Sequence, residues 1–260
     1  MKKILFYLIT VFIFLPAFVV ATDVDKGDDV VYKTFEVKAD NGIKYSIKCP
    51  NLTDTPSSYL GVFRIENDKY NLTVRDVADY YKSIDYEKYS VEKIKNGFTI
   101  LYDKAERIRF IYDLKEKIWT ITLNGTNRTS KYSVEFNIIE SNNGILFDDV
   151  YRWGEGTKEE RQRYNNNKKI FSKIKVAYND EQYYDIPLSA YSDMADMHRF
   201  HLNPVTDGFE LRFEGGDTAE HYIANLIFKK GFLIRKEVRN SEFYDDVWEQ
   251  TFYSYNDSEN

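Results

Sequence analysis

The sequence is nearly devoid of cysteine. Cys49 is its only one, so no intrachain disulfide can hold the fold, and stability must come from burial of apolar surface. A catalytic thiol would need a nearby histidine, and none lies close in sequence. Cys49 therefore reads as a small apolar residue at the end of a strand. Basic charge is also short, with 36 Lys and Arg against 42 Asp and Glu. That deficit argues against nucleic acid, whose phosphates require a basic face, and against an anionic membrane surface. Gly-x-Ser-x-Gly is missing, as are the phosphate-loop and dinucleotide glycine patterns. Ser-x-x-Lys occurs without its companion motifs. No catalytic signature remains, and the enzyme reading is the weaker one. Beyond the first twenty residues there is no apolar run long enough to span a bilayer.

The exception is the amino terminus. Lys2-Lys3 precede an apolar run from Ile4 to Val20, and Val19-Val20-Ala21 supply small residues ahead of the polar Thr22-Asp23. This order predicts a cleavable signal peptide over residues 1–21 and a periplasmic or secreted product. Pro16 and the short length of the run argue against a retained anchor. Loss of Lys2 and Lys3 takes the basic count from 36 to 34 against 42 acidic residues, a net charge of −8. Residues 22–30 read as an acidic, flexible leader. Their Asp-rich run is not a calcium loop, because Gly27 falls at the fifth position rather than the sixth and Thr34 stands where the closing Glu should be.

The remaining pattern is strand-like. Phe35-x-Val37 and Ile43-x-Tyr45-x-Ile47 flank Asp40-Asn41-Gly42, a strong hairpin signal. Phe98–Tyr102, Ile108–Tyr112, Ile118–Leu123 and Tyr132–Ile138 form a β-branched and aromatic meander. A second series follows: Phe171–Tyr178, Tyr183–Leu188, Phe209–Phe213, Tyr222–Phe228, Phe232–Val238 and Val247–Tyr255. Val74, Val77, Tyr80, Tyr81 and Ile84 fall at helical spacing and predict one short helix near 74–84, capped by Asn71 or Thr73. The expected fold is mainly β (α+β): two similar antiparallel meander sheets, with the helix packed on the first. The expected division is a β-rich domain over 31–139, a linker over 140–168 and a β-rich domain over 169–257. Asn96-Gly97-Phe98 resembles Asp207-Gly208-Phe209, and the strand layout after each agrees, which points to a duplicated module of about 100 residues.

Two sets of residues are candidates for chemistry. His198, His201 and His221 are the only histidines, and Asp193, Asp196, Asp217 and Glu220 lie among them. Imidazole with carboxylate suits zinc or another transition metal. The site requires His198 and His201 on one helical face, because a strand would turn them to opposite sides. The second set is aromatic. The chain holds 22 Tyr, 18 Phe and 3 Trp, more than strand filling needs. Tyr80, Tyr81, Tyr86, Tyr89, Tyr183 and Tyr184 are the candidates for a partner-binding surface. The preferred function is an exported, non-enzymatic binding protein that presents a sheet face or edge to a protein partner, such as an immunity or inhibitor protein. A metal-dependent enzyme or sensor built on the histidines is the first alternative. A carbohydrate or envelope-polymer binder is the second.

Overall fold

Strands dominate because alternating apolar residues must find a buried face, and these do so by stacking two sheets. The computed structural model describes residues 20–22, 32–50, 62–67, 70–76, 88–127, 130–140, 168–216 and 221–255. Within them the strands are β1 (Val20–Thr22), β2 (Tyr32–Lys38), β3 (Lys44–Pro50), β4 (Val62–Glu66), β5 (Leu72–Asp76), β6 (Tyr89–Ile94), β7 (Gly97–Tyr102), β8 (Ala105–Asp113) and β9 (Ile118–Asn127). They continue as β10 (Ser130–Glu140), β11 (Lys169–Tyr178), β12 (Tyr184–Asp185), β13 (Arg199–Val205), β14 (Gly208–Gly215), β15 (Tyr222–Lys229), β16 (Phe232–Asn240) and β17 (Val247–Phe252).

The first sheet has ten strands in the order β1-β2-β3-β4-β5-β13-β14-β15-β16-β17, and the second has seven in the order β12-β11-β10-β9-β8-β7-β6. All neighbours are antiparallel except β5 and β13, which run parallel from Thr73 beside Arg199 to Asp76 beside Leu202. Two meanders are present as expected, β6–β10 and β13–β17, but the sheets do not coincide with the halves of the chain. β2–β5 join the later meander through β5, and β11–β12 join the earlier one through β10. Pairing between strands more than a hundred residues apart leaves no local trace in the sequence.

The core lies between the sheets and is largely aromatic. Tyr45 of β3 meets Phe98 and Phe110 of the opposite sheet with ring centroids 5.1 and 5.5 Å apart. Phe209 stacks on Tyr132 at 4.8 Å, and Phe200 on Phe136 at 4.7 Å. Cys49 is fully buried in β3. Each ring withdrawn from water contributes about 1.5–3 kcal/mol.

Two asparagines tie one sheet to the other. Asn41, in the β2–β3 hairpin, donates from Nδ2 to Tyr112 O (3.0 Å) and Asn96 O (3.4 Å). Asn127, at the end of β9, donates to Gly208 O (3.1 Å) and to Val205 O. Asn41 thus reaches the β6–β7 turn and the adjacent β8, and Asn127 the two residues that flank the β13–β14 turn. The two turns agree in detail. Asn96 has φ of 61° and Asp207 of 60°. The Asn96 carbonyl accepts from Tyr112 N and the Asp207 carbonyl from Lys230 N, each at 3.1 Å. The following glycines are required by close approach: a Cβ on Gly97 would stand 1.8 Å from Phe110 O, and one on Gly208 would stand 1.9 Å from Phe228 O.

The helix expected to start at Val74 does not start there. Val74 is fully buried in β5 and pairs with Phe63 of β4 and Phe200 of β13. Its β-branched side chain serves the sheet, and pairing on both sides overrides the helical spacing. Residues 77–84, the remainder of that helix, lie outside the described residues, as does most of the expected linker, 141–167. Among the described residues the one helical turn is a 3-10 turn at Leu188–Ala190, and no helix is long and apolar enough to cross a membrane.

Candidate functional site

His198 lies just ahead of β13, His201 within it and His221 just ahead of β15, and only two of the three come together. The His198 and His221 rings lie 5.3 Å apart. His201 sits within β13, with Arg75 of β5 and Arg212 of β14 directly beside it. It shares the outer face with Arg199, while Phe200 and Leu202 point into the core. A strand therefore replaces the helical turn that the trio requires. His221 Nε2 lies 3.9 Å from Glu214 Oε2, but Glu214 is engaged by Arg199 (2.7 Å) and Arg212 (3.2 Å). Burial holds the His221 pKa below its ordinary value, with the neighbouring His198 adding to the effect. Asp217 and Glu220 lie outside the described residues. Among the described residues no group of three or more His, Cys, Asp or Glu is placed to hold a metal ion.

His198 does line a cavity. Asn67, Tyr70 and Asn71 from the β4–β5 connection, Lys169 at the start of β11, and Asp196, Met197 and His198 ahead of β13 enclose about 350 Å³. Asp196, in the left-handed region at φ 52°, accepts from Lys169 N at 3.0 Å and pairs with Lys168. His198 Nδ1 lies 3.2 Å from Asp196 O. The buried Tyr70 hydroxyl donates to Met197 O, and burial raises its pKa well above the usual tyrosine value.

The tyrosine candidates separate in the same way. Tyr80, Tyr81 and Tyr86 lie outside the described residues. Tyr89 is a correction: it is buried on β6, edge-on to Phe63 at 4.9 Å and tilted against Tyr102 at 4.8 Å, so it presents no surface to a partner. Tyr183 is exposed, and its hydroxyl contacts Ser133 Oγ. Tyr184 is half-buried beside it, and desolvation raises its pKa.

Tyr183 and Tyr184 border a larger aromatic surface that the sequence pattern did not single out. Phe232 lies 6.2 Å from Tyr184 and 5.2 Å from Tyr255 by ring centroid. Phe252 (70 % exposed) and Phe232 (54 %) are among the most exposed large apolar residues described. At the other end of β17, Phe243, Tyr244 and Val247 are exposed among the exposed acids Glu242, Asp245 and Asp246. Arg239 braces this loop, donating to Tyr244 O (2.8 Å) with its guanidinium 4.9 Å from the ring centroid. The β16–β17 connection is further fixed by Asn240 Oδ1, which accepts from Glu242 N (2.7 Å) and Phe243 N (3.0 Å). These aromatics were missed because alternation alone does not tell an edge strand from an inner one.

β17 ends the ten-stranded sheet and, among the described residues, pairs only with β16. The other edges are blunted. β12 has two residues and β1 three, and with residues 1–21 removed that edge would pass to β2, where Glu36 and Lys38 are exposed charges. β6 turns Ser90, Glu92 and Lys93 outward, and Lys93 is paired with Asp40 at 2.5 Å. Charge and shortness are the usual protection of an open edge. β17 has six residues, Val247–Phe252, with Val247 and Phe252 exposed, and carries no lysine.

No family model, curated protein or solved structure matches the chain.

Proposed function

We propose that this is an exported binding protein that captures an extended, basic segment of another protein along β17. The observation that carries the reading is the edge of β17, which among the described residues has no second strand beside it and is flanked by exposed aromatics and by Glu242, Asp245 and Asp246. Strand addition supplies main-chain hydrogen bonds, and alternate side chains supply specificity. The acids favour a basic partner and speed its approach, as does the overall excess of acidic residues. In this reading residues 1–21 act as an export leader, and the encounter takes place outside the cytoplasm. An immunity or inhibitor protein directed at a basic toxin or enzyme fits this chemistry.

The matching turns at Asn96-Gly97 and Asp207-Gly208 support a duplicated meander as the origin of the two sheets. The glycine contacts and the backbone bonds agree at both places, and a cross-sheet asparagine reaches each hairpin, though on different carbonyls. In this reading the hairpin preceding each copy completes the sheet of the other.

A displayed library of ten-residue peptides tests the function. Selection on the wild-type protein should enrich sequences alternating Lys or Arg with apolar residues. Val247→Lys/Phe252→Lys, which gives the edge the usual charged protection, should lower the affinity of the enriched peptides at least tenfold. Enrichment that is indifferent to this variant refutes the proposal.

A further inference from the structure

We infer that the cavity at the Lys169 end of the sandwich binds a small ligand through an anionic group, a carboxylate or a phosphate, and that Lys169 is the residue that receives it. The inference is independent of the β17 edge.

Lys169 stands on the inward face of β11, two residues before the core residue Phe171. Lysine at such a position normally finds a carboxylate or a carbonyl. Among the described residues no carboxylate or carbonyl pairs with the Lys169 ammonium. Its ammonium lies over the Tyr70 ring at 5.0 Å and the Trp119 ring at 5.9 Å. Ring faces attract the charge but accept none of its three N–H donors in the manner of an oxygen. Glu140 is opposite Lys169 in the β10–β11 register.

The other polar groups of the cavity are already engaged. Asp196 is neutralised by Lys168 and accepts from the Lys169 backbone. Asn67 Oδ1 accepts from Tyr70 N at 2.8 Å. The Asn71 amide, turned so that its nitrogen faces them, donates to Tyr70 O and Asn67 O at 3.2 Å each. The local balance is one positive charge with unused donors facing about 350 Å³ of open space, a volume within the range of small-molecule sites. An oxyanion satisfies the ammonium, and the aromatic rings behind it keep the lysine stem in place. His198, with Nδ1 turned to Asp196 O, is left to meet hydroxyl or amine groups on the same ligand through Nε2.

The test is an NMR titration of the full mature chain with inorganic phosphate and, separately, with acetate, at ionic strength held constant with chloride. The Trp119 indole and the amides of Asn67, Tyr70 and Asn71 report on the site. The expected result is a saturable shift of these signals with at least one of the two anions. It should weaken at least tenfold in Lys169→Met, persist within about threefold in Lys169→Arg, and be unchanged in the distant Lys93→Met. Preference between the two anions identifies the source of the oxyanion. No saturation with either anion, or equal binding by Lys169→Met, overturns the inference.

Discussion

Lys236 offers the sharpest test of how β17 is held. It occupies the inner face of β16, opposite Leu226 and Thr251, and its side chain is 1 % exposed. Nζ lies 2.8 and 3.0 Å from the Asp193 carboxylate and 2.8 Å from Glu249 Oε2, with Ser189 O at 3.4 Å. One buried cation thus joins the segment after the 3-10 turn to the edge strand. Lys236→Met preserves most of the stem and removes only the charge, leaving two carboxylates facing each other. Removing one member of a buried ion pair costs about 3–5 kcal/mol. Asp193 and Glu249 retain 16 % and 25 % exposure, so partial hydration places the loss at the lower end, about 3 kcal/mol. For a chain of this size that corresponds to a fall in Tm of about 6–12 °C. The triple variant Lys236→Met/Asp193→Asn/Glu249→Gln removes all three charges and should recover most of the loss, because the desolvation of the ions disappears with them. Thermal and urea unfolding, followed by circular dichroism, measure both. A loss below about 1 kcal/mol for the single change, or a triple variant no more stable than the single one, would show that this ion cluster does not secure the edge strand.

Two further outcomes follow from the same geometry. The folded-state pKa of His221 is depressed, first by burial and then by His198, so the unfolded chain binds the proton more readily. Stability from this group is complete above the unfolded value near 6.5 and is lost as pH falls below it. His221→Gln should flatten the stability profile between pH 7 and 5, whereas the loss tied to Glu237, whose pKa is lowered mainly by Arg239, should persist below pH 4.5; chemical denaturation across pH distinguishes the two windows. Gly97→Ala and Gly208→Ala each push a methyl group into a carbonyl less than 2 Å away. Both should destabilise by a similar amount, about 3 kcal/mol, the upper end of the usual overpacking cost, and unequal losses would weaken the duplication reading.

The strands were legible because alternation of Phe, Tyr, Ile and Val with polar residues over β7–β10 and β14–β16 has one physical solution, a half-buried sheet. The Asn41-Gly42 turn was equally readable, since Gly42 stands at a positive φ that few other residues adopt, whereas Asn96-Gly97 and Asp207-Gly208 were legible only as a repeat. β5 and β13 were not. Val74 satisfies a helical stripe as well as a strand, and His198-x-x-His201 was ambiguous between turn and strand until Arg75 and Arg212 closed on either side. The cavity was invisible for the same reason: Asn67, Lys169 and Asp196 are brought together by the β5–β13 and β10–β11 pairings, and nothing in their spacing records it. Tyr183 and Tyr184 border an exposed aromatic surface, but the exposed Phe232, Phe252 and Tyr255 that enlarge it owe their exposure to the edge position of β17.

Amide hydrogen exchange on the complex with an enriched peptide addresses the β17 assignment most directly. Added protection should be concentrated in residues 247–252, extending at most to the loop 242–246 and to Phe232 and Tyr255. Protection that appears instead along β6, or around Asn67–Asn71 with β17 unchanged, would contradict it.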